Sequence, residues 1–559
     1  MLLALPLALL ALLDGCAAAV PAVPTHGRLG ARQTIEDIVN GMNATVNHAT
    51  LLGVNLSEDK QSYYTIVSLG NMSFRVALDT GSSDFWLVSS ACSSSVCSSL
   101  PRYQLGYASS TFQSVNKNDT LFNVSYADTT FASGFVARET MRLQNLTVPE
   151  QAFGLMNSSN VTLNDDISGV LGLGFPRLST ISSLVANATP IISTMAGQGL
   201  LNYPLFGLSL PKNGTGSLTL GAIDASVVTN RSLIELHDVV PFAPFNGTET
   251  DEDTASYLQW AIELSQIWVN GTSITPDPTY SQSDSNHSLA LLDVGLSGIY
   301  GPYQDVERIF AQFSGSRLVD QTNGQWAMPC DSSETITFNF GLGNFTLQPT
   351  DYLLGPVASN SYYCLAWPAA TSPRSDGIDW HLGLPFLQTV YTIFSYGIDT
   401  KEAPLIGLYP LRNSTAAVQP FSVVSSIFSA ASATVATSLP NYLVPTPTYT
   451  TPAYIFNTSV TAPLGLLVSS GLGASTYTPV LGTGYLNISA IPTVVPSPTV
   501  LTFLITESGG VSTSVSTASQ PSITLGVPPG WSNGAGMLHV PVKTVMFASC
   551  LLLLRLFFV

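Results

Sequence analysis

An all-β fold of two pseudo-symmetric lobes with a cleft between them is the reading that three features of the sequence support. From Tyr63 to about Leu411, short runs of Val, Ile and Leu alternate with Ser, Thr and Asn, broken by Gly and by Asn-Gly pairs such as Asn213-Gly214 and Asn270-Gly271. That is the period-two pattern and turn chemistry of half-buried strands. The motif Val76-Ala77-Leu78-Asp79-Thr80-Gly81 returns in altered form as Ala290-Leu291-Leu292-Asp293-Val294-Gly295. Each copy is followed by an x-Leu-Gly element at nearly equal distance: Gly172 of Val170-Leu171-Gly172 lies 93 residues beyond Asp79, and Gly383 of His381-Leu382-Gly383 lies 90 beyond Asp293. Two unrelated turns have no reason to repeat a partner at matched spacing, so the segment reads as a duplicated lobe. Long periodic helices are absent, and two short ones are expected, near Pro190 to Gln198 and near Val306 to Phe313.

Composition excludes one class of partner. Of 559 residues 45% are hydrophobic and only 9% charged, with 35 acidic against 18 basic for a net charge of −17. Nucleic acid is excluded, because phosphate binding needs clustered positive charge. Ser, Thr, Asn, Gly and Pro replace charge, which suits a secreted and glycosylated surface protein. Fifteen Asn-x-Ser/Thr acceptors precede residue 400: Asn43, Asn55, Asn71, Asn118, Asn123, Asn145, Asn157, Asn160, Asn187, Asn213, Asn230, Asn246, Asn270, Asn286 and Asn344.

The two ends agree with a secretory route. Residues 1–19 carry an apolar run too short to cross a bilayer, then the small-residue stretch Cys16 to Ala19, the pattern of a signal peptide, although Lys and Arg are absent ahead of it. Residues 20–58 precede the first lobe and suit a short propeptide with no nameable processing site. The lobes are assigned to 59–240 and 241–411. Beyond them, 412–533 is rich in Ser, Thr and Pro, and Glu507 is its sole charged residue after Arg412; segments such as Pro445 to Pro452 read as an O-glycosylated stalk, and the apolar content around Leu464 to Val468 keeps open a poorly ordered tail with some β-forming patches. Small residues around Asn533, a spacer from Gly536 to Thr544 and an apolar tail from Met546 to Val559 form the three parts of a glycolipid-anchor signal, with Asn533 the attachment candidate and 534–559 removed. A spanning tail helix is the alternative, disfavoured because the tail is short and Arg555 interrupts it. The expected location is the extracellular surface, at the membrane or wall.

Six cysteines reduce to four once Cys16 in the signal and Cys550 in the tail are set aside. Three pairings are open in principle. Cys92 and Cys97 are close enough to close a small local loop, which leaves Cys330 with Cys364. Neither pair has a nearby histidine, so no metal is assigned and no cofactor is called for.

The residues that carry chemistry lie in Val76 to Trp86, Val-Ala-Leu-Asp79-Thr80-Gly81-Ser82-Ser-Asp-Phe-Trp86. Three apolar residues bury a strand and the Asp at its end projects a carboxylate; Thr80 can bond a neighbouring loop, and Gly81 permits close backbone approach. With the second copy, a pair of carboxylates, Asp79 and Asp293, is expected where the lobes meet. The chain from about Tyr63 to Leu411 resembles the pepsin-like aspartic peptidases in their fungal, glycolipid-anchored form. The resemblance rests on Asp79 to Ser83 with Trp86, the small Cys92–Cys97 loop, Ser109 to Phe112, Phe153-Gly154-Leu155, Gly169 to Gly174, Gly324 to Cys330 and Val390 to Phe394. It implies a bilobal all-β fold whose cleft takes an extended peptide, Asp79 and Asp293 as the catalytic dyad, and a monomer acting on polypeptides. It also implies that Asn123 to Thr130 is a flap, with Tyr126 closing over substrate and Trp86 its hydrogen-bonding partner. Where the family usually has Gly, this chain has Ala127, which would be strained if the position needs positive φ.

The second motif departs from the family. Val294 and Leu296 stand where hydroxyl residues are usual, so a bond locking the loops is lost, at about 1 kcal/mol, and Asp293 lacks a donor. Both changes disfavour its charged form and should raise its pKa. An acid endopeptidase is therefore weighed against a weakened or inactive pepsin-fold binding protein of the cell surface. Gly295-Leu296-Ser297-Gly298 fails as a serine nucleophile elbow, since Ile299 occupies the place of the required Gly. The acidic run Glu249 to Asp253 reads as a solvated face.

Overall fold

Strands make up most of the regular structure, as the period-two patterning requires. The computed structural model describes residues 48–531 except 241–256, 280–286, 358–361, 373, 375, 399–400, 413–416, 429–438, 445–476, 482–485, 497–499, 508–509 and 518–522. The signal peptide, Asn43, Asn246, Asn286, the acidic run, Asn533 and the anchor signal lie outside the described residues.

Each half of the chain builds the same strand arrangement around its Asp motif. In the first half, Met72–Asp79 runs parallel to Ile167–Gly172, placing Asp79 level with Gly172, and Phe85–Val88 returns antiparallel on the far side of that strand. In the second, Ser288–Leu292 runs parallel to Trp380–Leu382, and Ile299–Pro302 returns antiparallel to it. The repeat of Asp motif and x-Leu-Gly element in sequence is thus a repeat in space. Each Leu-Gly strand lies between the two strands that flank the Asp loop, and Gly169 and Gly172 leave no room for a side chain there: a Cβ at Gly169 would fall 1.9 Å from the Trp86 carbonyl.

The halves are joined by strands from both. Val390–Ser395 and Leu405–Pro410, from the end of the second half, extend a sheet that includes Leu205–Ser209, Gly216–Leu220 and Thr50–Leu56 from the first. Above this junction Trp260 packs 4.1 Å from Phe175 and 5.0 Å from Phe394, centroid to centroid, and its indole N–H donates to the Leu173 carbonyl at 3.0 Å. The Tyr396 hydroxyl donates to the same carbonyl at 2.7 Å. Burying such rings contributes about 1.5–3 kcal/mol each, and here that packing fixes the backbone one residue past Gly172.

The expected turns and helices are present. Asn270 (φ 48°) and Gly271 (φ 77°) join Gln266–Val269 to Thr272–Ile274 with both residues left-handed, as a two-residue hairpin turn demands. Helices span Ile191–Gly197 and Tyr303–Phe310. Disulfides link Cys92 to Cys97 and Cys330 to Cys364.

Two assignments need adjustment. Thr50–Leu56, placed by sequence in the segment suited to a propeptide, is a strand of the body, paired with Gly216–Leu220 and with Tyr63–Leu69. The segment 412–533 is not simply a stalk: several of its described parts dock on the body, while Val500–Glu507 and Gly510–Thr517 pair with each other as a separate hairpin. Val424 of the helix Phe421–Phe428 is buried, and Tyr442 N–H donates to the Leu318 carbonyl at 2.9 Å. Leu481 and Ile491 are buried among Tyr203, Ile223, Tyr391 and Ile393. Thr493–Val494 adds a parallel strand to Ile223–Asp224, and Gly526 N–H reaches the Ser73 carbonyl at 2.9 Å. Pro445 to Pro452 and Leu464 to Val468 lie outside the described residues. Among the described residues no helix is long and apolar enough to cross a membrane.

Candidate active site

The two loops that follow the Asp strands meet where the halves join. Asp79 and Asp293 are 9% and 7% exposed and face each other across the two loops. Each carboxylate is held by its own loop: Gly81 N–H donates to Asp79 Oδ1 and Gly295 N–H to Asp293 Oδ1, both at 2.9 Å. Each glycine also abuts the opposite acid. A Cβ at Gly81 would lie 2.6 Å from Asp293 Oδ2, and one at Gly295 would lie 2.5 Å from Asp79 Oδ1. Gly at both positions is thus what lets the carboxyls approach.

Thr80 ties the loops together with both bonds of its hydroxyl. Its hydroxyl donates to the Leu292 carbonyl at 2.9 Å and accepts from Val294 N–H at 3.0 Å. Val294 is fully buried and has no hydroxyl with which to return the bond. The asymmetry continues one step outward. Ser82 Oγ donates to Asp79 Oδ2 at 2.5 Å, whereas Leu296, the corresponding residue of the second loop, offers no donor. Burial raises the pKa of Asp79, opposed by the Ser82 hydroxyl and Gly81 N–H. Burial also raises that of Asp293, and the facing Asp79 charge raises it further against the backbone N–H groups of Gly295 and Gly81. Two buried carboxyls this close do not both ionise cheaply, so the pair as a whole holds on to a proton.

Tyr126 stands at the tip of the hairpin Leu121–Ser125/Phe131–Leu143, and Trp86 Nε1–H donates to its hydroxyl at 2.7 Å. Burial, then the Asp79 charge, raises the phenol pKa, so it stays protonated. Tyr126, Trp86, Thr80, Gly81, Ser82 and Gly295 are thus all brought around the two carboxyls. The strain considered for Ala127 is not at that residue. Thr129 takes the left-handed conformation instead, at φ 69°, while Tyr126 N–H bonds the Thr130 carbonyl at 2.9 Å and closes the tip. A β-branched residue in that region is strained by about 1–3 kcal/mol. Thr129→Gly is accordingly expected to raise stability by about 1 kcal/mol after glycine's entropic cost, read as a higher Tm. Ala127→Gly should lower Tm, and a gain at 127 with a loss at 129 would refute this account of the tip.

Two supports were missed in the sequence. Asp84 is buried and accepts from Ser179 Oγ at 2.5 Å and Thr180 N–H at 2.7 Å; burial pushes its pKa up to about 6 against those bonds. It fastens the loop after Ser82 to the segment that follows Gly174, and only its place within the first motif hinted at a role. The hold of Trp260 and Tyr396 on Leu173 spans 87 and 223 residues and left no local signal. His381, the polar exception in the second x-Leu-Gly element, is buried with Nε2 3.0 Å from Asp376 Oδ2. Among the described residues no group of three or more His, Cys, Asp or Glu could hold a metal ion.

A pair of carboxyls, one from each half of a duplicated all-β fold and covered by a hairpin, defines a class of acid hydrolase architecture. The chain belongs to the eukaryotic aspartyl protease family, whose model matches residues 62–403, and its fold is the bilobal pepsin-like one. It is 30% identical over 364 residues to an aspartic protease of Phaffia rhodozyma, covering 64% of this chain and 80% of that one. It is 27% identical over 347 residues to cathepsin E of Mus musculus, 60% of this chain and 78% of the other. To vacuolar protease A of Neurospora crassa it is 28% identical over 348 residues, 60% and 77% respectively.

Proposed function

We propose that this protein is an endopeptidase that hydrolyses polypeptides at acidic pH, with Asp79 and Asp293 as its catalytic pair. The observation that carries the reading is the mutual placement of the two acids, each bonded by the glycine N–H of its own loop and pressed against the glycine of the other. Asp79, the charged member, takes a proton from a water that attacks the scissile carbonyl. Asp293 gives its proton to the carbonyl oxygen. The tetrahedral diol then collapses, with a proton passing to the leaving amine, and an acid and an amine depart. Tyr126 and Trp86 close over the substrate. The close approach of each carboxyl to the glycine of the opposite loop favours this over the binding-protein reading, since Leu296 does not part them.

The same reading places the protein on the secretory route as a glycosylated monomer. Its signal is 1–19, any propeptide ends ahead of Thr50, the lobes meet near 240, and a glycolipid is attached at Asn533. Trp531 packs edge-on against Tyr107 at 5.7 Å. Asn533 is two positions farther along the chain, a span of at most about 7 Å, so the anchor would hold the body close to the surface instead of on a long stalk.

The full secreted protein should cleave an unfolded protein at about pH 3–5, where a dyad shares one proton, and a pepstatin-type inhibitor should stop it. Leu296→Thr would give Asp293 the hydroxyl that Ser82 gives Asp79, lowering the Asp293 pKa. The alkaline limb of the pH–activity profile should then move to lower pH. Absence of cleavage after verified maturation would refute the peptidase reading, and an unmoved limb would refute the role given to position 296.

A further inference from the structure

The outward face of the hairpin over the dyad carries a pattern that the chemistry does not use. Along Leu121–Ser125 the side chains alternate: Phe122 and Val124 pack into the first-half core with Tyr126, while Leu121, Asn123 and Ser125 face solvent. In the paired strand Phe131 lies opposite Ser125, and Ser133 opposite Asn123. Asn123 thus sits between two exposed apolar side chains, Leu121 at 69% and Phe131 at 42% exposure. Leu121 is two residues away on the same face, about 6.6 Å along the strand.

Asn123 heads the acceptor Asn123-Val124-Ser125, and among the described residues no hydrogen bond engages its side-chain amide. Nearby acceptors differ. The Asn160 carbonyl oxygen takes Phe131 N–H at 2.6 Å, and that of half-buried Asn157 takes Ser89 Oγ at 3.0 Å. We propose that Asn123 carries an N-linked glycan that covers Leu121 and Phe131 and screens the cleft from folded proteins, while extended peptides pass beneath the hairpin. The bond forms between Asn123 Nδ2 and the anomeric carbon of a lipid-pyrophosphate-linked oligosaccharide supplied on the secretory route. The lipid pyrophosphate leaves, and the amide gives up one proton. The inference deepens the peptidase reading and rests on it and on passage through that route.

The test uses the full chain secreted from a eukaryotic host, with glycopeptide mass spectrometry at every acceptor. Asn123 is expected to be occupied. Asn123→Gln and Ser125→Ala should each raise kcat/KM on a folded protein substrate by roughly tenfold, the low end of the range over which encounter rates vary among variants of one interface. The ratio of folded-protein to short-peptide kcat/KM should rise by that factor in both variants, which removes any effect of the substitution on the hairpin itself. An unmodified Asn123 in a molecule glycosylated elsewhere would overturn the site. An unchanged ratio of folded-protein to peptide cleavage would overturn the screening role. A parent without turnover on the peptide would refute the peptidase reading and the screening role with it, while occupancy at Asn123 is still read in the same sample.

Discussion

Substitution of Asp79 by Asn is expected to lower kcat/KM on an unfolded protein substrate by about 10²–10⁴-fold, the range that a positioned proton-transfer group contributes. In the proposed mechanism Asp79, to which Ser82 and Gly81 both donate, is the base, and an amide cannot take the proton of the attacking water. The loss should fall on kcat more than on KM, since Tyr126 and the hairpin are untouched. Misfolding is separated from lost chemistry by the pH dependence of stability. A carboxyl whose pKa is raised on folding contributes fully below its unfolded value near 3.8, and the contribution fades as pH rises through the folded value. Asp79, Asp293 and Asp84 are all raised by burial, Asp84 to about 6. The parent should therefore lose stability from about pH 4 towards neutrality. The Asp79→Asn protein should keep a higher Tm than the parent at pH 7, where charge at the buried pair is unfavourable, with the two converging near pH 3. Retention of more than a tenth of the activity, or a lower Tm at pH 7, would show that Asp79 does not bear the charge assigned to it.

The parts of the site that could be read in the sequence are those written as short contiguous motifs. Asp79-Thr80-Gly81 and Asp293-Val294-Gly295 each encode a strand end, a carboxylate and a glycine in consecutive positions, and their spacing to Leu171-Gly172 and Leu382-Gly383 encodes the strand beside them. Missing hydroxyls at 294 and 296 were legible for the same reason, and the structure shows Thr80 bridging the loops without a counterpart. Contacts made at long range escaped. Trp260 reads as one buried aromatic among many until its indole is seen on the Leu173 carbonyl. Strain at the hairpin tip was sought at Ala127, where a glycine was missed, and fell on Thr129, because the turn puts its left-handed residue two positions later. The 412–533 segment misled through composition: the short apolar helix that carries Val424 and, farther on, Leu481 and Ile491 are outweighed by a Ser/Thr/Pro background. Their partners, such as Tyr203 and Ile223, lie more than 200 residues away in the chain.

That misreading has a large measurable consequence. A chain ending at Leu411 contains both acids, the hairpin and both disulfides, yet it should be markedly less stable than the full protein. Removal of the extension uncovers the sites filled by Val424, Leu481 and Ile491, each worth about 1.5–3 kcal/mol when buried. It also takes two donors from buried Glu402, whose Oε2 accepts from Val480 N–H at 3.1 Å and Leu481 N–H at 2.9 Å. Leaving such an acceptor short of partners costs about 1–3 kcal/mol. Freed backbone entropy offsets much of this, and a net loss of a few kcal/mol remains, large against a usual total of about 5–15 kcal/mol. Tm should fall by about 5 °C or more. Leu481→Asp with Ile491→Asp in the full chain should reproduce most of the fall, because a carboxylate cannot be buried among Tyr203, Ile223 and Tyr391. Activity per folded molecule should be unchanged in both proteins, since none of these residues touches the dyad. Equal Tm for the truncated and full chains would mean that the extension rests on the body without supporting it.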